Sequence, residues 1–262
     1  MKLEIFPQGF PSFVKKFERI SSTNDKALEY LVEKGEKSNG GVFVAKYQEN
    51  GRGRSGRSWY SESGKNLLMS FIFVPPADYK WNLLPLAAGL ACVKAIEKYK
   101  KIAAKIKWPN DIVYNNRKMG GILSESKSIG NRILGVVVGI GINVKGGSGD
   151  FPVELSSSVV TMEEASKSEC DVDQFMNNLL KEISSSLQFL SVNLKGFLGE
   201  VTKFLIHQKD DIIEISSGEG RVTGKYVGLN ENGEIVLLSE KGIRTFNCGE
   251  IVKSREKNDS CS

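Results

Sequence analysis

The chain has 262 residues, 40% of them hydrophobic, which is enough for one large domain with a small one beside it and too apolar for a disordered polymer. No apolar run approaches the roughly 20 residues of a membrane-spanning helix, and the opening MKLEIFPQGFPSF has neither a secretory core nor transit-peptide character, so a soluble cytoplasmic protein is expected. Lys and Arg exceed Asp and Glu by 36 to 31, a net charge of +5 that suits an anionic ligand as well as nucleic acid and selects neither.

In chain order, Ser22 and Thr23 offer capping hydroxyls to a helix that starts near Asn24, in NDKALEYLVEKG. GGVFVAKY and LLMSFIFV read as strands on either side of a glycine/arginine loop, and residues 83–99 as a helix apolar on most faces. AAKIKWPNDIVY is a strand interrupted at Pro109. The turn NNRK then leads into MGGILSES, completing a hairpin. ILGVVVGIGINV is a strand covered on both faces, and from Asp173 to Leu190 apolar residues recur at helical spacing. Beyond His207, the short strands IIEI, RVTGKYVGL, EIVLL, IRTF and EIVK alternate with glycine turns, as in a small barrel. That unit has about 50 residues, a marginal core, so it is expected to pack on the larger one. The expected division is 1–208, 209–255 and a polar tail at 256–262.

Four widely spaced cysteines, Cys92, Cys170, Cys248 and Cys261, form no CxxC pair, so reduced thiols are expected rather than a zinc site or a disulfide frame. The single histidine, His207, has few polar helpers nearby and is expected to be structural or solvated.

GRGRSG, from Gly51 to Gly56, matches the dinucleotide pattern GxGxxG, but the helix that must follow is replaced by the turn-rich RSWYSESGKN. A Walker loop fails as well, because Gly64-Lys65 is followed by Asn66. What remains is a flexible backbone carrying Arg52, Arg54 and Arg57, able to wrap an anion while their guanidinium forks supply charge. So glycine-rich a loop should be mobile when empty and close on a ligand.

Five motifs now stand in order: Ser22-Thr23-Asn24, GRGRSGRSW at Gly51 to Trp59, KWPND at Lys107 to Asp111, KMGGIL at Lys118 to Leu123, and GIGIN at Gly139 to Asn143. Together they resemble the biotin–protein ligases, over most of the first 210 residues and more weakly in GKYVGLNENGEIVL and GEIVK. The resemblance implies an α/β (α+β) fold like the class II aminoacyl-tRNA synthetases, a mixed sheet flanked by helices, with a small SH3-like C-terminal β-barrel. It also implies the activity: ATP and biotin, with Mg²⁺, give biotinyl-AMP, and the biotinyl group then passes to a lysine of a biotin carboxyl carrier protein or domain. Longer members carry a DNA-binding winged helix. With about 20 residues before Ser22, neither DNA binding nor repression is expected here, and no membrane partner either. Monomer and homodimer are both left open.

By resemblance, Lys118 touches the biotin carboxylate and the α-phosphate, with Arg54 and Arg52 as the loop's contacts to carboxylate and phosphate. Ser22, Thr23, Asn24 and Gln48 suit the ureido ring, and Gly51, Gly53 and Gly121 let the backbone approach biotin. Arg57, Trp59, Asn110 and Asn143 are expected at the nucleotide, Trp59 by stacking on adenine, and Asp111 near phosphate and Mg²⁺. Bland readings stand beside these: Trp59 as core, Asn24 as a helix-start residue, Asn143 as a satisfied buried amide, and Gly121, Gly139 and Gly141 as β-bulges. The alternative functions are a lipoate or octanoate ligase, a non-catalytic nucleic-acid-binding module, and a biotin-regulated repressor.

Overall fold

Strands buried on both faces organise the larger part of the molecule. The computed structural model describes residues 5–6, 9–76, 79–130, 132–218 and 220–255; the tail expected at 256–262, with Cys261, lies outside them. Strands β1 (Phe13–Ile20), β2 (Gly41–Gln48), β3 (Asn66–Phe73), β4 (Lys105–Lys107), β5 (Asp111–Tyr114), β6 (Arg117–Ile129) and β7 (Arg132–Asn143) form a sheet of order β1-β2-β3-β7-β6-β5-β4. Only β1 and β2 run parallel; the other pairs are antiparallel, which makes the expected mixed sheet.

Side chains alternate across that sheet with a period of two. Val42, Met69, Phe71, Val138 and Ile140 face the main core, whereas Phe43, Ile72 and Val137 face a second cluster with Ala27 and Leu31 of helix α1 (Thr23–Lys34). Ser22 caps α1 by accepting from Asp25 N–H, and Gly35 ends it at φ 54°. Helix α2 (Leu84–Lys100) buries Leu84, Leu86, Leu90, Val93 and Ile96 in the main core; each large apolar side chain so buried contributes roughly 1.5–3 kcal/mol. Short helices α3 (Val153–Ser156) and α4 (Met162–Ser166) lead to α5 (Val172–Val192), which packs on α2, and to α6 (Leu194–Phe204).

Strands β8 (Ile212–Ser217), β9 (Gly220–Leu229), β10 (Ile235–Ser239), β11 (Gly242–Phe246) and β12 (Glu250–Arg255) form an antiparallel sheet of order β11-β10-β9-β8-β12, consistent with an SH3-like unit. Its inward residues Ile213, Ile215, Tyr226 and Leu237 belong to the same hydrophobic core as α2. Trp108 Nε1 also donates to Gly233 O at 3.1 Å. The small sheet is therefore closed by the large one.

His207 lies at this junction, buried edge-on against the Tyr226 ring, and burial pushes its pKa down to about 4. That is the structural role expected of it. Cys92 and Cys170 are buried free thiols and Cys248 an exposed one. The elements β1, α3, α4 and α6 had no counterpart in the sequence reading. β1 is an edge strand with charged side chains at half its positions, and α6 is a short helix with two glycines. Among the described residues no helix is long and apolar enough to cross a membrane.

Candidate active site

A cleft of about 770 Å³ opens between the two sheets, a size suited to a small-molecule site. One wall comes from the start of α1, the end of β2 and the adjoining loop; the floor comes from β6 and β7; residues 216–218 and 248–251 of the small sheet face them. Each element brings motif residues to this one place, including Lys107, Asn110 and Asp111 where the strand breaks at Pro109.

The floor is made of paired glycines. Gly121 stands opposite Gly141 across β6 and β7, and Gly139 opposite Leu123. A Cβ at Gly141 would lie 2.6 Å from Trp59 Cε2, and one at Gly121 would lie 3.3 Å from Trp59 Cζ3; at Gly139 it would strike the Asn24 amide. The strand registers shift at Ile112/Val113 and Lys127/Ser128 but not at these glycines, so their service is close approach rather than a bulge. The indole of Trp59 lies directly on this floor, its Nε1 buried and without a hydrogen-bond partner.

The glycine/arginine loop is a small hairpin. Trp59 N–H donates to Gly51 O at 2.8 Å and Gly53 N–H to Arg57 O at 2.7 Å, while Ser55 and Gly56, both at positive φ, make the tip. At Gly51 an added Cβ would come within 2.9 Å of Trp59 O, so only glycine closes the hairpin this tightly. Its three arginines have different partners. Arg52 Nη1 and Nη2 grip Asp25 at 2.8 and 2.6 Å, and Nη2 also reaches both oxygens of Glu125. Arg54 Nη1 donates to Asn110 Oδ1 at 2.9 Å and to Gly249 O at 3.4 Å. Arg57 pairs with Glu250 of β12, and that hydrogen bond holds the Glu250 carboxyl below its usual range.

Lys118 follows a two-residue turn in which Asn115 and Asn116 both have positive φ, the geometry a tight hairpin demands. Its backbone is also bonded to residues 158–160: Lys118 N–H donates to Ser158 O at 2.7 Å and Val160 N–H to Lys118 O at 3.0 Å. The ammonium lies 2.7 Å from Asp111 Oδ1 and 5.6 Å from the centre of the Trp59 ring. Asn143 is the satisfied buried amide: it accepts from Asn66 Nδ2 at 3.1 Å and donates to Lys118 O at 3.4 Å.

On the remaining wall, Gln48 Oε1 accepts from both the Thr23 amide at 2.7 Å and the Thr23 hydroxyl at 2.8 Å. Ser70 Oγ stands 2.7 Å from Thr23 Oγ1 and 2.6 Å from Asn24 Oδ1, and Asn24 Nδ2 donates to Glu125 at 2.6 Å. Asn24 is thus more than a helix-start residue, while Ser22 serves as the cap of α1. Sequence reasoning missed Ser70, Glu125, Gly249, Glu250 and the cleft-lining Phe151 and Leu155. Ser70 alone carried a signal: a lone hydroxyl in the apolar run LLMSFIF must find a partner when buried.

A model of the biotin/lipoate A/B protein ligase family matches residues 16–143. The chain is 31% identical over 239 residues to the bifunctional ligase/repressor BirA of Bacillus spizizenii, covering 88% of this chain and 71% of that protein. It is 28% identical to the biotin–[acetyl-CoA-carboxylase] ligase of Paracoccus denitrificans, covering 89% of this chain and 97% of that one. Among solved structures, the biotin protein ligase from Aquifex aeolicus in complex with biotin and ATP matches with a TM-score of 0.77 at 30% identity, over 93% of this chain and 98% of the other.

Proposed function

Because the chain belongs to the biotin protein ligases of the biotin/lipoate A/B protein ligase family, we propose that it activates biotin with ATP and transfers the biotinyl group to a lysine of a biotin carboxyl carrier domain. A biotin carboxylate oxygen attacks the α-phosphorus of ATP, forming biotinyl-AMP and releasing pyrophosphate. An acceptor lysine amine then attacks the acyl carbon, loses a proton and expels AMP. The observation that carries this reading is the arginine hairpin folded over a glycine floor, with the Lys118 ammonium at its edge.

The first step brings two anions together, so cations decide its rate. Lys118, fixed by the hairpin on one side and by residues 158–160 on the other, is assigned to the carboxylate and the α-phosphate. Arg54 at the tip is assigned to the same oxygens, and Arg57 to the nucleotide. Thr23, Asn24 and Gln48, oriented by Ser70, suit a ureido group that carries both N–H and C=O. Trp59 covers the floor and offers its face to adenine once the ligands enter.

Magnesium fits beside Lys118. Asp111 Oδ1 is buried and, although 2.7 Å from the ammonium, receives no aligned hydrogen bond. Among the described residues no cluster of three His, Cys, Asp or Glu exists, which suits an ion shared between one carboxylate and substrate phosphates. When bound, it would offset the phosphate charge. For the transfer step, closure of the arginine hairpin would keep water from the mixed anhydride until the acceptor docks. A cytoplasmic setting supplies ATP and keeps the buried thiols reduced.

Exchange of labelled pyrophosphate into ATP tests the proposal. Exchange that depends on biotin and fails with lipoate or octanoate supports it; exchange driven by lipoate moves the chain to the other branch of its family.

A further inference from the structure

Glu125 links the start of α1 to the base of the arginine hairpin. It lies on β6, two residues beyond Leu123, and uses both oxygens. Oε2 accepts from Asn24 Nδ2 at 2.6 Å, while Oε1 and Oε2 lie 3.1 and 3.2 Å from Arg52 Nη2. Asp25 grips the same guanidinium through two further bonds. Both terminal nitrogens of Arg52 are therefore committed to carboxylates. A ligand anion could recruit this arginine only by breaking charge-assisted bonds of the strongest kind in proteins.

Asn24 carries the connection into the wall. Its Nδ2 is held by Glu125 and by Leu123 O, so its Oδ1 must point at Ser70. Turning the amide over would set Oδ1 against the Glu125 carboxylate. From Ser70 the contacts continue to Thr23 and end on Gln48 Oε1. One unbroken path thus runs from the base of the arginine hairpin to the residues facing the ureido ring. Ser70, Thr23 and Asn24 on this path are buried, so the polar groups along it have no water to replace a lost partner.

We infer that Glu125 is a positioning residue that joins the recognition wall to the base of the hairpin, and that Arg52 is the hairpin's hinge clamp rather than a ligand-binding arginine. Among the described residues the hydrogen-bond partners of Arg54, Asn110 and Gly249 O, are neutral, and it is the arginine released to meet anions. The base stays fixed; the tip moves. The assignment of the wall to biotin rests on the ligase reading, whereas the clamp is a matter of geometry alone.

Two experiments separate these. In pyrophosphate exchange, Glu125→Gln, which keeps an acceptor for Asn24 but removes the charge from Arg52, should raise the biotin KM about tenfold and leave the ATP KM within about twofold. Arg52→Ala should do the same, and the double variant should be no worse than either single. Independent, multiplying effects of the two substitutions, or a loss of kcat in Arg52→Ala without change in biotin KM, would overturn the inference. The second experiment needs no turnover. Brief trypsin treatment mapped by mass spectrometry should cut the wild-type chain after Arg54 or Arg57 and spare Arg52, with Glu125→Gln making Arg52 about tenfold more cleavable. Equal cutting after Arg52 and Arg57 in the wild type refutes the clamp even if Glu125→Gln does not fold. A wild type without biotin-dependent exchange but with Arg52 protected would remove the ligase reading and leave the clamp standing.

Discussion

Lys118 Nζ stands 2.7 Å from Asp111 Oδ1, an acid and a base brought together by the turn at Asn115 and Asn116 and by the break at Pro109. The pair is half-open to the cleft, with side-chain exposures of 38% and 27%, so the ammonium can turn from this carboxylate to a substrate oxygen. Asp111 thereby holds the Lys118 ammonium beside the cleft. Removing the amine removes one oriented charge from the first step. Lys118→Ala should lower the rate of adenylate formation by about 10²–10³. Near-normal pyrophosphate release by that variant would take Lys118 out of the chemistry.

The tip arginine closes the hairpin against Asn110 and the Gly249 carbonyl, a contact between the loop and the small sheet. Arg54→Gly removes both bonds and the charge expected over the adenylate. The variant should release biotinyl-AMP into solution and label bystander lysines on an unrelated protein added to the reaction. Equal bystander labelling by wild type and variant would contradict a closing role for the hairpin.

Gly141 allows the Trp59 indole to lie on the strand. In Gly141→Ala the new methyl would fall 2.6 Å from Trp59 Cε2, and the ring must leave the floor. Overpacking of this kind costs about 1–3 kcal/mol, which converts to roughly a 5- to 150-fold rise in the KM for biotin or ATP. Steady-state exchange kinetics check this, and unchanged KM values for both substrates would show that the floor is not a ligand surface.

The pKa of His207 falls from 6.5 to about 4 on folding because burial disfavours the imidazolium, with Lys107 adding repulsion. Stability from this group is fully present above pH 6.5 and is lost as the pH falls toward 4, since the unfolded chain takes up the proton first. The loss amounts to about 3 kcal/mol at the acid end. Thermal melts from pH 7 to pH 4 should show a steeper fall in Tm for the wild type than for His207→Gln. Parallel curves would mean that His207 is not the titrating group.

Much of the site was legible because its chemistry is written in unusual local patterns. Alternating glycines and arginines, a proline breaking a strand and an asparagine ending an apolar one each violate the rules of ordinary secondary structure, and Arg52, Gly53, Arg54, Arg57, Pro109 and Asn143 from these patterns line the cleft, while Gly51 lies outside its lining. Continuous apolar runs likewise marked β2, β3, β7 and α2, and helical spacing marked α5. Glu125 and Glu250 could not be read, because a carboxylate on an otherwise regular strand looks solvated until the fold brings Arg52 or Arg57 beside it. Asn143 shows the opposite limit. A buried amide announces that it needs a partner, but not whether that partner is a ligand or, as here, Asn66 and the Lys118 carbonyl.

The most direct test of the proposal is to look for the intermediate itself. Purified chain incubated with biotin, ATP and magnesium, quenched and analysed by mass spectrometry, should contain biotinyl-AMP in an amount close to that of the protein; on addition of a biotin carboxyl carrier domain it should disappear, with one acceptor lysine gaining the biotinyl group. If no acyl-adenylate forms with biotin under these conditions, the cleft is not the site of a biotin-activating reaction.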